Sequence, residues 1–196
     1  MAREAICFDL DDYADTARWA WPYLDKLYAM SEGRLKLTLF AIPAFTSEAA
    51  LWDARSRPWI ELAVHGWDHR PAECESWTEE QTVEKLTDAV KRLDGCVTVF
   101  RAPFWQTGPG LYAGLHAHGW AVADHPRNLE KHPHGLAQYT LGRWHHIGAK
   151  HPLLPLVQAH GHFDEVEGNG LRGRFEALAD LARGGMDFKF VSEVVA

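Results

Sequence analysis

The apolar positions of this chain fall into short blocks separated by longer stretches of helical spacing. Blocks at residues 5–10, 35–42, 60–64, 97–100, 121–123, 139–141, 156–159 and 188–191 are rich in Val, Ile, Leu, Phe and Ala, and are too short for typical helices. Several run without polar interruption, the pattern of parallel strands buried on both faces. Glu79–Leu93 is the clearest helix. Val83, Leu86, Val90 and Leu93 share a stripe, Thr78 offers an N-cap with Gln81 at the third helical position, and Asp94-Gly95 ends it. A second helix is expected over 23–30, with Pro22 in its first turn. Further helices are expected near 47–55, 109–118 and 171–183. The alternation runs the length of the chain with no repeat, low-complexity tract or linker. It predicts one α/β domain over residues 1–196 with right-handed crossovers. About seven strand–helix units favour closure into a distorted (β/α)-barrel over an open sheet.

Composition narrows the partners. The chain has 196 residues, 46% hydrophobic and 24% charged, which is ordinary for a globular domain that folds in water. A formal charge of −7 argues against a nucleic-acid partner. No apolar stretch approaches the roughly 18 residues of a membrane span and no leader precedes the first strand, so a cytoplasmic protein without a membrane partner is expected. Cys7, Cys74 and Cys96 form no CxxC pair, which suits a reducing compartment. Nine tryptophans serve either as core filling or as stacking surfaces for sugar rings.

In barrels of this kind the chemistry collects at the C-terminal ends of strands. Asp9, Asp11, His65, His69, Arg101 and His160 all fall at or just past such ends. His65-Gly66-Trp67-Asp68-His69 follows one strand block, and Asp9, Asp11 and Asp12 close another. Two imidazoles and a carboxylate from neighbouring strand ends make a facial site for one divalent metal, with Zn2+ the expected ion and a face left for water. Residues i and i+2 of a strand share a face, so Asp9 and Asp11 can enter the site together. That favours Asp11 as the carboxylate ligand beside His65 and His69. The rival assignment gives the metal to Asp12 and leaves Asp11 beside it.

These segments, in this order, resemble the motifs of the polysaccharide deacetylase family, the NodB-like carbohydrate esterases. The corresponding stretches are Phe8-Asp9-Leu10-Asp11-Asp12, His65 with His69, Arg101-Ala102-Pro103-Phe104, and His160 after Leu156-Val157-Gln158-Ala159. The resemblance implies the distorted barrel of that family and a metal-dependent hydrolase that removes acetyl groups from N-acetylated sugars or related small amides. It implies Asp9 as general base, or Asp11 if Asp12 is the ligand, with Arg101 orienting it through a charge-assisted hydrogen bond. It implies the Phe104 backbone N–H as an oxyanion donor, and His160 as the acid for the leaving group, with His162 as the alternative. Asp124 is a candidate to orient that imidazole. Three departures stand out. Leu10 separates Asp9 from Asp11. Gly66 stands where a hydroxyl residue often follows the first histidine, so whatever pins the metal loop comes from elsewhere. Trp105 stands where Gly often follows the aromatic residue, so it narrows or walls the sugar pocket.

Two other readings compete. Asp9-Leu10-Asp11 fits the opening of a haloacid-dehalogenase-type phosphohydrolase, with Asp9 as nucleophile. That chemistry needs a later acidic pair for magnesium, for which Asp164-Glu165 is the only candidate, and it leaves His65, His69 and Arg101 without work. A non-catalytic carbohydrate-binding protein on the same fold is the other. His145, His146 and His151 near Trp144 read as a solvated loop.

Overall fold

The computed structural model describes residues 5–133, 135–140, 149–150, 156–163 and 170–195. The strands are β1 (Ala5–Tyr13), β2 (Leu37–Ala41), β3 (Ile60–His65), β4 (Val99–Arg101), β5 (Ala121–Asp124), β6 (Gln138–Thr140), β7 (Ala149–Lys150), β8 (Leu156–His162) and β9 (Asp187–Lys189). The helices are α1 (Trp21–Met30), α2 (Glu48–Arg55), α3 (Glu79–Leu93), α4 (Pro109–Ala117) and α5 (Leu171–Arg183). The strands form one sheet in the order β6-β5-β4-β3-β2-β1-β8-β7, and β9 pairs with the start of β1. All pairings are parallel except β7 on β8. The sheet curls into a half-barrel with helices flanking it. Among the described residues no helix is long and apolar enough to cross a membrane.

Each apolar block resolves into two faces. Ile6, Phe8, Leu10, Leu37, Leu39, Leu62, Val64, Phe100 and Val122 pack in one large core with residues of the helices. The alternate positions, Cys7, Phe40, Ala63, Val99, Ala121 and Ala123, form a smaller cluster on the concave side. Continuing that second set toward the strand ends replaces apolar residues by Asp9, Asp11, His65 and Arg101, all buried. The period of two therefore sends Asp9, Asp11, His65 and Arg101 to one face.

Helix α3 begins and ends where the sequence indicates, with a full capping box between Thr78 and Gln81. Its buried stripe is Thr82, Leu86, Ala89 and Leu93, and Val90 is exposed instead. Gly114 on α4 packs so closely on the first turns of α3 that a Cβ there would meet Thr82 Cβ at 2.6 Å. Strand β7 has no counterpart in the apolar blocks, since a two-residue strand is too short to carry a period. The loop with Trp144, His145, His146 and His151, and the Asp164-Glu165 pair, lie outside the described residues. Gly114→Val should force α3 and α4 apart and lower stability by about 1–3 kcal/mol in chemical denaturation, without altering the secondary-structure content seen by circular dichroism.

Candidate active site

Strand register assembles the site. In the β1–β8 ladder Asp9 pairs with His160 and Asp11 with His162, and in the β3–β4 ladder His65 pairs with Arg101. Arg101 is fully buried, and its Nη1 donates to Asp9 Oδ1 and to Asp11 Oδ1, each at 2.5 Å. Its guanidinium lies 3.7 Å above the Phe40 ring and 5.2 Å from that of Trp105. Burial alone would lower the Arg101 pKa, but Asp11 and Asp9 raise it above the ordinary value, so the cation persists at every accessible pH. Burial likewise pushes Asp11 up, yet Arg101, His65, His160 and His162 outweigh it and bring Asp11 down to about 2. Asp11 is thus a carboxylate throughout the physiological range.

A β-bulge decides which carboxylate meets the histidines. Between Leu10 and Tyr13 two residues of β1, Asp11 and Asp12, face the single Phe40 of β2, and Asp12 adopts a left-handed φ of 68°. Without the bulge, alternation would turn Asp12 away from Asp9 and Asp11. With it, Asp12 Oδ1 lies 3.3 Å from His65 Nε2 and 2.8 Å from His69 Nε2. Asp11 Oδ2 is 4.0 Å from His65 Nε2. The three side chains that can close on one ion are therefore Asp12, His65 and His69, with Asp11 beside them. Burial raises the Asp12 pKa, but contacts with His162, His65 and His69 hold it far below the carboxylate range.

The donor set fits a divalent ion. Asp12 Oδ1 is buried with no partner in hydrogen-bonding geometry, although two imidazole nitrogens face it. His65 Nδ1 lies 3.1 Å from the Arg101 carbonyl oxygen, which only accepts, so Nδ1 carries a proton and Nε2 is the atom through which a neutral imidazole would bind an ion. Ligand atoms of a tetrahedral ion at about 2.0–2.1 Å sit about 3.3 Å apart, close to the His65–Asp12 separation.

The loop between the two histidines is pinned by a residue that the motif spacing did not indicate. Glu73 Oε1 accepts from the Trp67 N–H at 2.9 Å, and Glu73 Oε2 from the Asp68 N–H at 3.1 Å. This carboxylate supplies the restraint that a hydroxyl after His65 would otherwise give. It also accounts for Gly66, whose φ is 59° and where a Cβ would collide with Glu73 Oε1 and with Pro103 Cγ. The available signal was Glu73 itself, an acidic residue buried shortly after a loop that lacks its usual hydrogen-bonding partner.

The remaining candidates divide. His160 Nδ1 donates to Asp9 Oδ1 at 2.7 Å, and His162 Nδ1 to Asp12 Oδ2 at 2.9 Å. Trp105 stands against the His160 ring at a centroid distance of 5.7 Å and walls the site. Phe104 is half-exposed at a φ of 55°, and its ring stands 4.9 Å from that of His69. Asp124 has no hydrogen bond to His160. It accepts from Tyr112 (2.6 Å), Asn128 (2.8 Å) and His132 (3.0 Å), and Asn128 in turn donates to the Trp105 carbonyl at 3.0 Å. Asp124 therefore anchors the turn that carries Trp105, and Asp9 orients His160. A groove of about 680 Å3 runs from Asp12 and His69 past Trp19, Phe45, Phe163 and Arg92.

No protein-family model and no curated protein matches the sequence. Solved structures do match, and nearly the whole chain superposes on them. A family 4 acetyl xylan esterase from Clostridium thermocellum, in complex with a cobalt ion, aligns with a TM-score of 0.63 at 15% identity, over 97% of this chain and 89% of that one. The peptidoglycan deacetylase PdaC from Bacillus subtilis gives 0.63 at 14%, over 97% and 89%. A family 4 pseudoenzyme from Bacillus anthracis gives 0.65 at 10%, over 98% of this chain and 65% of that one. The chain thus has the fold of the family 4 carbohydrate esterases, as its resemblance to the polysaccharide deacetylases implies.

His132 provides a pH handle outside the candidate metal ligands. Burial lowers its pKa, but Asp124 and Gln138 raise it above 6.5 overall. A raised pKa stabilises the fold fully below pH 6.5, and the contribution fades as pH climbs through the folded-state value. His132→Gln should therefore lower the melting temperature more at about pH 6 than at about pH 9, and equal losses at the two pH values would show that the pair with Asp124 is not ionic.

Proposed function

We propose that this chain is a divalent-metal-dependent hydrolase that removes an acyl group, foremost acetyl, from an N-acylated sugar or a related small amide. The observation that carries the reading is the convergence of Asp12 Oδ1, His65 Nε2 and His69 Nε2 beside a carboxylate, Asp11, held ionised by a buried arginine. Asp12, His65 and His69 would hold the ion, for which zinc is the expected identity. Bound there, it would supply Lewis acidity toward a carbonyl and toward water.

The protein's own groups divide the rest of the work. Asp11 is the general base, since its Oδ2 faces the histidines while its Oδ1 is held by Arg101. Asp9 is wholly buried between Arg101 and His160, so its role is to orient both. The same burial counts against a phosphohydrolase with Asp9 as an accessible nucleophile. Proton delivery to the leaving amine or alkoxide falls to the His160–His162 pair, and side-chain exposure of 25% against 4% favours His162. The Phe104 backbone N–H is the oxyanion donor beside His69. Trp105, Trp19, Phe45 and Phe163 offer aromatic surfaces to the substrate. Non-catalytic binding on this fold is the second reading, favoured by the pseudoenzyme among the similar structures.

Metal analysis of the purified protein and acetate release from a panel of N- and O-acetyl sugars test the proposal. Asp12→Ala, His65→Ala and His69→Ala should each lose stoichiometric metal and all turnover. Asp11→Asn should keep the metal and lose about 10²–10⁴-fold in kcat. Metal retained by Asp12→Ala and lost by Asp11→Asn would reverse the two assignments, and metal binding without acetate release would favour the binding protein.

A further inference from the structure

We infer that this cleft contains a second, weaker divalent-cation site, formed by Asp11, His160 and His162, whose occupation switches the enzyme off. The inference rests on the proposed hydrolase reading for its effect on turnover, but not for its existence.

One ligand atom from each of the three side chains lies within 4.8 Å of the others, and His160 Nε2 is 3.8 Å from Asp11 Oδ2. The ring orientations suit ligation. His160 Nδ1 lies 2.7 Å from Asp9 Oδ1 and His162 Nδ1 2.9 Å from Asp12 Oδ2, and a neutral imidazole that donates to its carboxylate through Nδ1 has Nε2 as its ligand atom. A carboxylate or carbonyl on the far nitrogen is the arrangement that metal-binding histidines adopt. The independent sign of a ligand is His160 Nε2 itself. It belongs to a side chain only 4% exposed and has no hydrogen-bond partner, a costly state for a buried nitrogen. An ion drawing Asp11 Oδ2, His160 Nε2 and His162 Nε2 together would satisfy that nitrogen. Asp11 can offer Oδ2 because Arg101 engages only its Oδ1.

Charge sets the order of filling. Asp9, Asp11 and Asp12 contribute three negative charges and Arg101 one positive, so the cleft carries about two units of negative charge before any ion enters. The first divalent ion, at Asp12, His65 and His69, neutralises that excess. A second arrives with no net attraction left, beside Arg101 and the first ion, and so binds more weakly. Asp12 couples the two sites, since its Oδ1 faces His65 and His69 while its Oδ2 holds His162. A filled second site also removes the free oxygen of Asp11 and the nitrogens that would deliver the proton. Activity against zinc concentration should therefore rise and then fall.

Zinc titration of the metal-free protein, followed by calorimetry and by counting bound ions after equilibrium dialysis, tests this without reference to activity. The expected result is two ions per chain, the second binding at least about tenfold more weakly. His160→Gln and His162→Gln should each reduce the count to one, the ion that remains being the tighter of the two, and His162→Gln should weaken that ion more than His160→Gln because His162 holds Asp12. His162→Gln alters a partly exposed position, so it remains informative should His160→Gln fail to fold. Crystals soaked at low and high zinc should show anomalous peaks first at Asp12, His65 and His69, and then also at Asp11, His160 and His162. A single ion at saturating zinc, or a second ion that survives both histidine variants, overturns the inference. One ion at Asp12, His65 and His69 alone would do so while leaving the proposed hydrolase intact. No bound ion at all would remove both.

Discussion

A guanidinium fully inside a protein is tolerated only where carboxylates surround it, because the desolvation cost of an unpaired buried charge is several kcal/mol. Arg101 meets that condition through Asp9 and Asp11, both reached from one nitrogen. The arrangement constrains everything near it. Three charged side chains on the concave face of a parallel sheet must keep their strands in register, since slipping β1 by one residue would turn Asp9 and Asp11 into the apolar layer under the helices. Phe40 and Trp105 close over the guanidinium and keep water from weakening the pairs. The ion pair is thus less a source of stability than a device that fixes geometry.

That geometry sorts three neighbouring carboxylates into three different situations. Asp9 is enclosed and bonded to Arg101 and His160. Asp11 is anchored through one oxygen and faces the histidines with the other. Asp12 carries an oxygen without a hydrogen-bond partner toward two imidazoles. Three neighbouring carboxylates of one strand end thus differ in what surrounds them, and the division of labour proposed for them rests on that difference. The histidines are sorted in the same way, since the partner on each Nδ1 sets what its Nε2 can do.

The supports around the site replace what its sequence lacks. With no hydroxyl after His65, the loop to His69 hangs on Glu73, and the absence of a side chain at Gly66 makes room for that carboxylate. Asp124 does its work at one remove, through Asn128 and the turn that presents Trp105. Both are carboxylates satisfied by several donors, which is what allows them to be buried.

Much of this was legible in the chain. Apolar blocks marked β1–β6, β8 and β9, the capping box marked α3, and placement at strand ends marked Asp9, Asp11, His65, His69, Arg101 and His160, because burial and hydrogen-bond periodicity act over a few residues and leave local traces. The choice between Asp11 and Asp12 was not legible. Strand alternation pairs Asp9 with Asp11, and only the bulge, a mismatch between two strands about thirty residues apart in the chain, rotates Asp12 toward the histidines. The same holds for the buried face of α3, where Thr82 and Ala89 stand in place of Val83 and Val90, and for Glu73, whose meaning depends on the backbone it reaches. The sequence by itself determined which residues could do chemistry and on which strand ends they stand. Tertiary structure decided which of them touch, because side-chain direction at a strand end depends on the neighbouring strand as well as on the residue's own position.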